Sequence, residues 1–194
     1  MQSPDRFIVR PIEGKRYNNT KEISGLELIT STSEEDVAAS NREAEVISTP
    51  LNYKGKITPG DILLVHHNVF KFYNDMKGRR QSGRSFFKDD LFFIEDEQFF
   101  MYKNNGKWNA HGRNCFIKPS AVKKYILDKP GKYEPLMGIV KYINQELAEL
   151  GVKEGDEVSF QPESEYEFKV DDEILYRMFT NNITFVVEDG IKST

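Results

Sequence analysis

The chain has 194 residues, 38% of them hydrophobic and 30% charged, with a formal net charge of −4. That length allows one domain or two small ones, and the mild acidity disfavours a generic nucleic-acid or anionic-membrane role. No apolar run approaches the roughly 20 residues that span a bilayer, the N-terminal MQSPDRFIVRP lacks the basic start and apolar core of a signal peptide, and the one cysteine, Cys115, leaves no intrachain disulfide and no cysteine-rich metal cluster. The expected compartment is the cytoplasm, by default.

In chain order, Arg6 to Pro11 reads as a strand ended by proline. Residues 12–41 form a long polar segment rich in Thr, Ser, Asn, Lys and Glu, with one apolar island, Ile23-Ser24-Gly25-Leu26-Glu27-Leu28-Ile29. A structureless loop this long is usually functional or disordered; the plainer alternative is a hairpin whose Leu26 and Leu28 face a core. Glu43 to Ile47 is a predicted strand, and Gly55 to Val65 supplies a turn and the next strand. His66-His67 follows it; neighbours on a strand face opposite sides, so the pair makes poor co-ligands for one metal.

Residues 74–90 carry the basic run Lys77, Arg79, Arg80, Arg84 and Lys88 with Gly78 and Gly83. Such a run can hold a phosphate or an acidic partner, and Arg79, Arg80 and Arg84 are its candidate contacts, although a solvated loop is the commoner role. Leu91 to Ile94, the turn Glu95-Asp96-Glu97, and Phe99 to Tyr102 then read as a hairpin. Asn105-Gly106 is a strong turn signal, and Trp108 reads as a core or interface aromatic.

From Asn114 the pattern restarts. Asn114 to Pro119 repeats Arg6 to Pro11, Gly138-Ile139-Val140 repeats Ala44-Glu45-Val46, and Glu154 to Val158 repeats Pro59 to Leu63. The turn Val170-Asp171-Asp172-Glu173 is matched to the acidic hairpin around Glu95. Ordered landmarks of this kind predict an internal repeat. Between them, Tyr125-Ile126-Leu127 is an apolar triplet that reads as a strand or a second docking element, and Ile143 to Leu150 has the apolar spacing of a short helix stopped at Gly151. Short alternating strands continue to Val187. No phosphate-cradling loop, zinc-binding helix or nucleophile elbow is present. Cys115, inside a predicted strand, is expected to be buried and inert, and the carboxylates cluster in turns. No enzymatic activity, cofactor or metal is expected.

The strand ending in Arg10-Pro11, the long loop, the Ala44-Glu45-Val46 strand, the turn Val152-Lys153-Glu154-Gly155-Asp156, the acidic turn at Asp171-Asp172 and the closing strand Ile183 to Val187 together resemble the ten-kilodalton co-chaperonins, the GroES-like family. The resemblance covers the second module best, over about forty residues, and is moderately specific there. It implies an all-β chain of two tandem GroES-like small antiparallel β-barrels, module 1 over residues 5–110 (mobile loop 12–41, basic insertion 74–90) and module 2 over residues 112–189. It implies chaperonin-binding residues Ile23, Gly25, Leu26, Glu27, Leu28 and Ile29; Tyr125, Ile126 and Leu127 are a candidate second docking triplet, with a strand the preferred reading because few residues separate them from Pro119. Glu27 departs from the family, whose middle position is apolar; the roof hairpin is short in module 1 and replaced by the helix in module 2. The partners implied are a GroEL-like chaperonin ring, further copies of the chain as a homo-oligomer, and an unfolded client enclosed in the cage. A divergent lid of this kind suits a phage with its own capsid client, acting in the cytoplasm of the infected host. The alternative is an oligomeric β-barrel structural or adaptor protein that never docks on a chaperonin. Nucleic-acid binding is a third class, against which the net charge counts.

Overall fold

The computed structural model describes residues 2–17, 20–23, 26–29, 40–121 and 133–187, with backbone alone for 20–23 and 26–29. The protein is nearly all β, its sheets are antiparallel, and the single α-helix among the described residues, α1 (Gln145–Glu149), has five residues. Among the described residues no helix is long and apolar enough to cross a membrane. The chain divides into two compact units, residues 1–108 and 109–194.

The first unit is built on a seven-stranded sheet, whose end strand β11 crosses the unit boundary, in the order β11 (Lys107–Ala110), β10 (Phe99–Asn104), β5 (Ile62–Val65), β4 (Glu43–Ser48), β1 (Phe7–Pro11), β9 (Leu91–Ile94), β8 (Phe86–Lys88). Two hairpins pair apart from this sheet: β2 (Thr20–Ile23) with β3 (Leu26–Ile29), and β6 (Phe72–Asn74) with β7 (Arg80–Ser82). The second unit holds a six-stranded sheet in the order β15 (Tyr166–Val170), β16 (Glu173–Phe179), β12 (Asn114–Pro119), β13 (Met137–Tyr142), β14 (Glu157–Phe160), β17 (Ile183–Val186). Each unit is thus built on one antiparallel sheet, as the all-β expectation requires, and no ladder joining the end strands of either sheet is found among the described residues.

Set side by side, the two orders are the same. β10-β5-β4-β1-β9-β8 corresponds strand for strand to β17-β14-β13-β12-β16-β15. The registers agree too: Val9 faces Val46 and Pro11 faces Ala44, as Ile117 faces Val140 and Pro119 faces Gly138. Each pairing slips at the same point, between Ile8 and Val9 and between Phe116 and Ile117. The turns before β5 and β14 are built alike: Asp61 accepts from the Thr58 N–H at 2.7 Å, and Asp156 accepts from the Lys153 N–H at 2.8 Å.

One assignment from sequence is corrected. Residues 91–102 are not a hairpin: β9 pairs with β1 and β8, whereas β10 pairs with β5. A 3-10 turn at Asp96–Gln98, closed by the Glu95 N–H donating to Gln98 Oε1 at 2.9 Å, carries the chain between strands that are not neighbours. Its counterpart is the Thr180–Asn182 turn, where the Phe179 N–H donates to Asn182 Oδ1 at 2.9 Å. The true partner of the Asp171-Asp172 hairpin is β8–β9, turned at Asp89-Asp90.

Each core follows from these strands. Val9, Val46, Leu63, Val65 and Phe99 are fully buried in the first unit, with Phe7 edge-to-face against Phe99 at 5.4 Å. Ile117, Val140, Val158, Phe160 and Met178 fill the second. Burying side chains of this size contributes roughly 1.5–3 kcal/mol each. Ile57 and Val152, both buried, precede the two matched turns. Trp108 is buried, as its aromatic surface demands. In the second unit Leu147 of α1 joins the core. Asn144 caps that helix, accepting from the Leu147 N–H at 2.8 Å, while its amide donates to the Arg113 carbonyl at 2.7 Å and to Thr180 Oγ1 at 2.8 Å.

Candidate functional site

The long connection between β1 and β4 is built on a fastened stem. Pro11 ends β1, and a 3-10 turn over Ile12–Gly14 reverses the chain through positive φ at Glu13 (58°) and Gly14 (67°). Asn41, almost fully buried, ties the returning strand to that turn. Its amide donates to the carbonyls of Ile12 (3.2 Å) and Lys15 (2.7 Å), its Oδ1 accepts from the Glu43 N–H (2.9 Å), and its own N–H donates to the Arg16 carbonyl (3.0 Å). One step further out, Tyr17 and Ser40 form an isolated antiparallel bridge.

Within residues 12–41 the structure describes this stem and the β2–β3 hairpin, the plainer of the two alternatives for the apolar island, while residues 18–19, 24–25 and 30–39 lie outside the described residues. Four residues with strand-forming character stand on either side of the Ser24-Gly25 dipeptide, a turn signal. The register pairs Thr20 with Ile29, Lys21 with Leu28, Glu22 with Glu27 and Ile23 with Leu26. Of the candidate docking residues, Ile23, Leu26, Glu27, Leu28 and Ile29 therefore lie on one two-stranded element. Gly25 lies outside the described residues, as do Tyr125, Ile126 and Leu127.

Next to the stem stands the basic insertion, which is a hairpin rather than a loop. Phe72 joins the two. The Arg16 guanidinium lies 4.0 Å from the Phe72 ring centre and 4.7 Å from that of Phe92, and Arg16 Nη1 donates to Ser82 Oγ at 3.1 Å. Arg80 lies 3.7 Å from the same Phe72 ring. Tyr17 stacks on Phe72 at 6.3 Å and its hydroxyl accepts from the Phe72 N–H at 2.9 Å. Cation–π contacts of this kind contribute about 0.5–2 kcal/mol as they become desolvated. Burial lowers the Arg16 pKa from its ordinary value, with Arg80 adding repulsion.

The hairpin tip is organised by Asp75. Its Oδ1 accepts from the N–H groups of Lys77 and Arg79, both at 2.9 Å, and its Oδ2 pairs with Arg79 Nε at 3.3 Å. Those hydrogen bonds hold the Asp75 carboxyl below its usual range. Of the candidate contacts, Arg79 is held by Asp75, Arg80 lies on Phe72 and Arg84 is exposed beyond Gly83.

The other candidates give no reactive centre. The imidazoles of His66 and His67 lie 4.1 Å apart, tilted by 32°, because residues 66–69 turn instead of continuing β5, so the two rings do not face apart as expected of a strand. Burial, with His66, Arg42 and Lys71 nearby, pushes the His67 pKa down to about 4. Cys115 is buried, donates to the Met178 carbonyl at 3.4 Å, and has its thiol pushed up to about 12 by burial. Such a thiol is a poor nucleophile at neutral pH. No group of three or more metal-ligating side chains occurs among the described residues.

Sequence reading missed Arg16, Tyr17, Asn41 and Asp75. Asn41 had a legible signal, an Asn at the joint between a polar run and an alternating strand, where a side chain often replaces backbone partners. The contact of Arg16 with Phe72 spans too much sequence to leave one. No model of a known protein family matches the chain, and no curated protein does either.

Proposed function

We propose that the protein is a divergent, tandem co-chaperonin of the GroES-like kind, a non-enzymatic lid that closes a chaperonin ring over a folding client. The observation that carries this reading is the β2–β3 hairpin, with Leu26 and Leu28 at alternate positions of one strand, inside the β1–β4 connection whose two ends Asn41 and the Tyr17–Ser40 bridge fasten together. Two units of one strand order suit a duplicated lid module.

In this mechanism each copy offers one weak apolar contact to a groove on the chaperonin's apical surface. Ordering such a segment costs roughly 2–5 kcal/mol of the gross interaction, and a ring of copies raises avidity by roughly 10²–10⁴. Weak individual contacts keep the lid releasable. The chaperonin hydrolyses the ATP, and the site of action is the cytoplasm of a bacterium or an infected host. The test is co-elution of the protein with a GroEL-like ring in ATP or ADP. Binding that depends on nucleotide supports the reading; no binding in either nucleotide overturns it.

A second reading, an oligomeric structural or adaptor protein, is favoured by Glu27. It separates the two leucines and lies opposite Glu22 in the hairpin. Like charges at opposed positions weaken a hairpin and make a poor apolar plug.

A further inference from the structure

The charge of this chain is concentrated in two stretches of its sequence, a basic and an acidic pole. Residues 71–88 carry six cationic side chains against the single Asp75, a net of +5, although the whole chain is −4. Residues 154–173 carry nine anionic side chains against the single Lys169, a net of −8. The first pole is the β6–β7 hairpin with its flanks, the second runs from the β14 turn through β15 to the start of β16.

Both poles are presented to solvent. On the basic side Lys77, Arg79, Arg80 and Arg84 are exposed, Tyr73 is 55% exposed, and Met76 at the apex is fully exposed at 106%. Asp75 and the Phe72 cluster hold this hairpin in one shape, so presenting its tip costs little further ordering. On the acidic side β15 is the end strand of its sheet, and among the described strands it is hydrogen-bonded to β16 alone. Asp172 and Glu173 are already engaged by Lys169, Lys118 and Lys141. Glu163, Glu165 and Glu167 are exposed and make no ion pair among the described residues.

We propose that the β6–β7 hairpin of one copy docks on the Glu163–Glu167 edge of a second copy. The contact joins two different patches, so it is head-to-tail, and repetition closes a ring if the rotation allows and extends a filament if it does not. The chain itself supplies the complementary surface. The net charge of −4 counts against a long polyanion such as a nucleic acid as the occupant, whereas an acidic edge of a second copy is a short local patch. Exposed Tyr, Met and Arg together are also the composition of a protein contact. This deepens the oligomeric part of the reading above, and its test uses no chaperonin, so either can fail alone.

The experiment is sedimentation of the full chain over a concentration series, at low salt and at high salt. Association at low salt that weakens at least about tenfold at high salt is expected, since screening shortens the reach of exposed charges. Lys77→Glu with Arg84→Glu should leave a monomer, and so should Glu165→Lys with Glu167→Lys. A mixture of those two variants should associate again, because each supplies the sign the other needs. A wild-type monomer at every concentration at low salt, association indifferent to both reversals, or a mixture that stays monomeric overturns the proposal. Thermal melting confirms that each variant is folded; should the hairpin reversal unfold, Lys77→Gln with Arg84→Gln replaces it, with weakened association expected and unchanged association overturning the proposal.

Discussion

Gly60 and Gly155 occupy one position in two sheets. Each donates its N–H to the carbonyl of a valine across the turn, Val46 and Val140, at 2.8 Å in both cases, with φ of 94° and 99°. Neither has a neighbouring atom within 4 Å of where a Cβ would stand, so only backbone conformation restricts the position. Gly60→Ala and Gly155→Ala should each destabilise their own unit by about 1–3 kcal/mol, through strain alone. Chemical denaturation of the two variants should show losses of similar size; a large loss at one and none at the other contradicts the structural equivalence.

Asn41 satisfies three backbone groups with one buried side chain. Asn41→Ala leaves two carbonyls and an N–H without their partner, a loss of about 1–3 kcal/mol after water reaches some of them. The stem should loosen before the sheet does. Hydrogen exchange should therefore speed up at Glu43 and around Ile12 to Arg16, while the Leu63 and Leu64 amides stay protected.

On the co-chaperonin reading, Leu26→Ala with Leu28→Ala abolishes binding to a chaperonin ring. Burying each leucine is worth roughly 1.5–3 kcal/mol, and the loss recurs at every copy. The melting temperature should hardly move, because the hairpin belongs to neither main sheet. Glu27→Val should tighten binding, since it removes the charge between the leucines and the like-charged pairing with Glu22. Unchanged affinity in the double alanine variant places the adaptor reading first.

His67 makes stability depend on pH. Its folded pKa of about 4 lies below the unfolded value near 6.5, so the unfolded chain takes up the proton first as acid is added. The stabilisation is complete above about pH 6.5 and is lost as pH falls toward 4. His67→Phe should flatten this part of the stability profile, measured by urea unfolding at closely spaced pH values. An unaltered profile would mean that other groups carry the dependence.

Much of the fold was legible because its signals are local. Alternation marked the strands, Gly60-Asp61 and Gly155-Asp156 marked matched turns, and Ile143 to Leu150 contained the helix that forms. The mistaken hairpin at residues 91–102 shows where local signals fail. Two apolar stretches around a short acidic segment look like paired strands, yet the Asp96–Gln98 turn links strands that are not neighbours. The correct marker was the Asp89-Asp90 pair, matching Asp171-Asp172; at Asp89, Asp171 and Asp172 the backbone takes the positive φ that tight hairpin turns favour. The stem of the candidate site was harder to read. Arg16 and Phe72 meet through the fold alone, and neither residue's sequence neighbours indicate the other.

The stem at Tyr17 and Ser40 makes the first sheet indifferent to what is inserted beyond it. Chain-closure entropy grows only with the logarithm of length, about 0.6 kcal/mol for each doubling, and the bridge and the Asn41 clamp set the geometry of both ends. Residues 18–39 can therefore drift, lengthen or be exchanged without unseating β1 or β4. Under selection such a cassette can change its recognition while the scaffold stays fixed, and in the laboratory it is a natural place to graft a foreign binding segment.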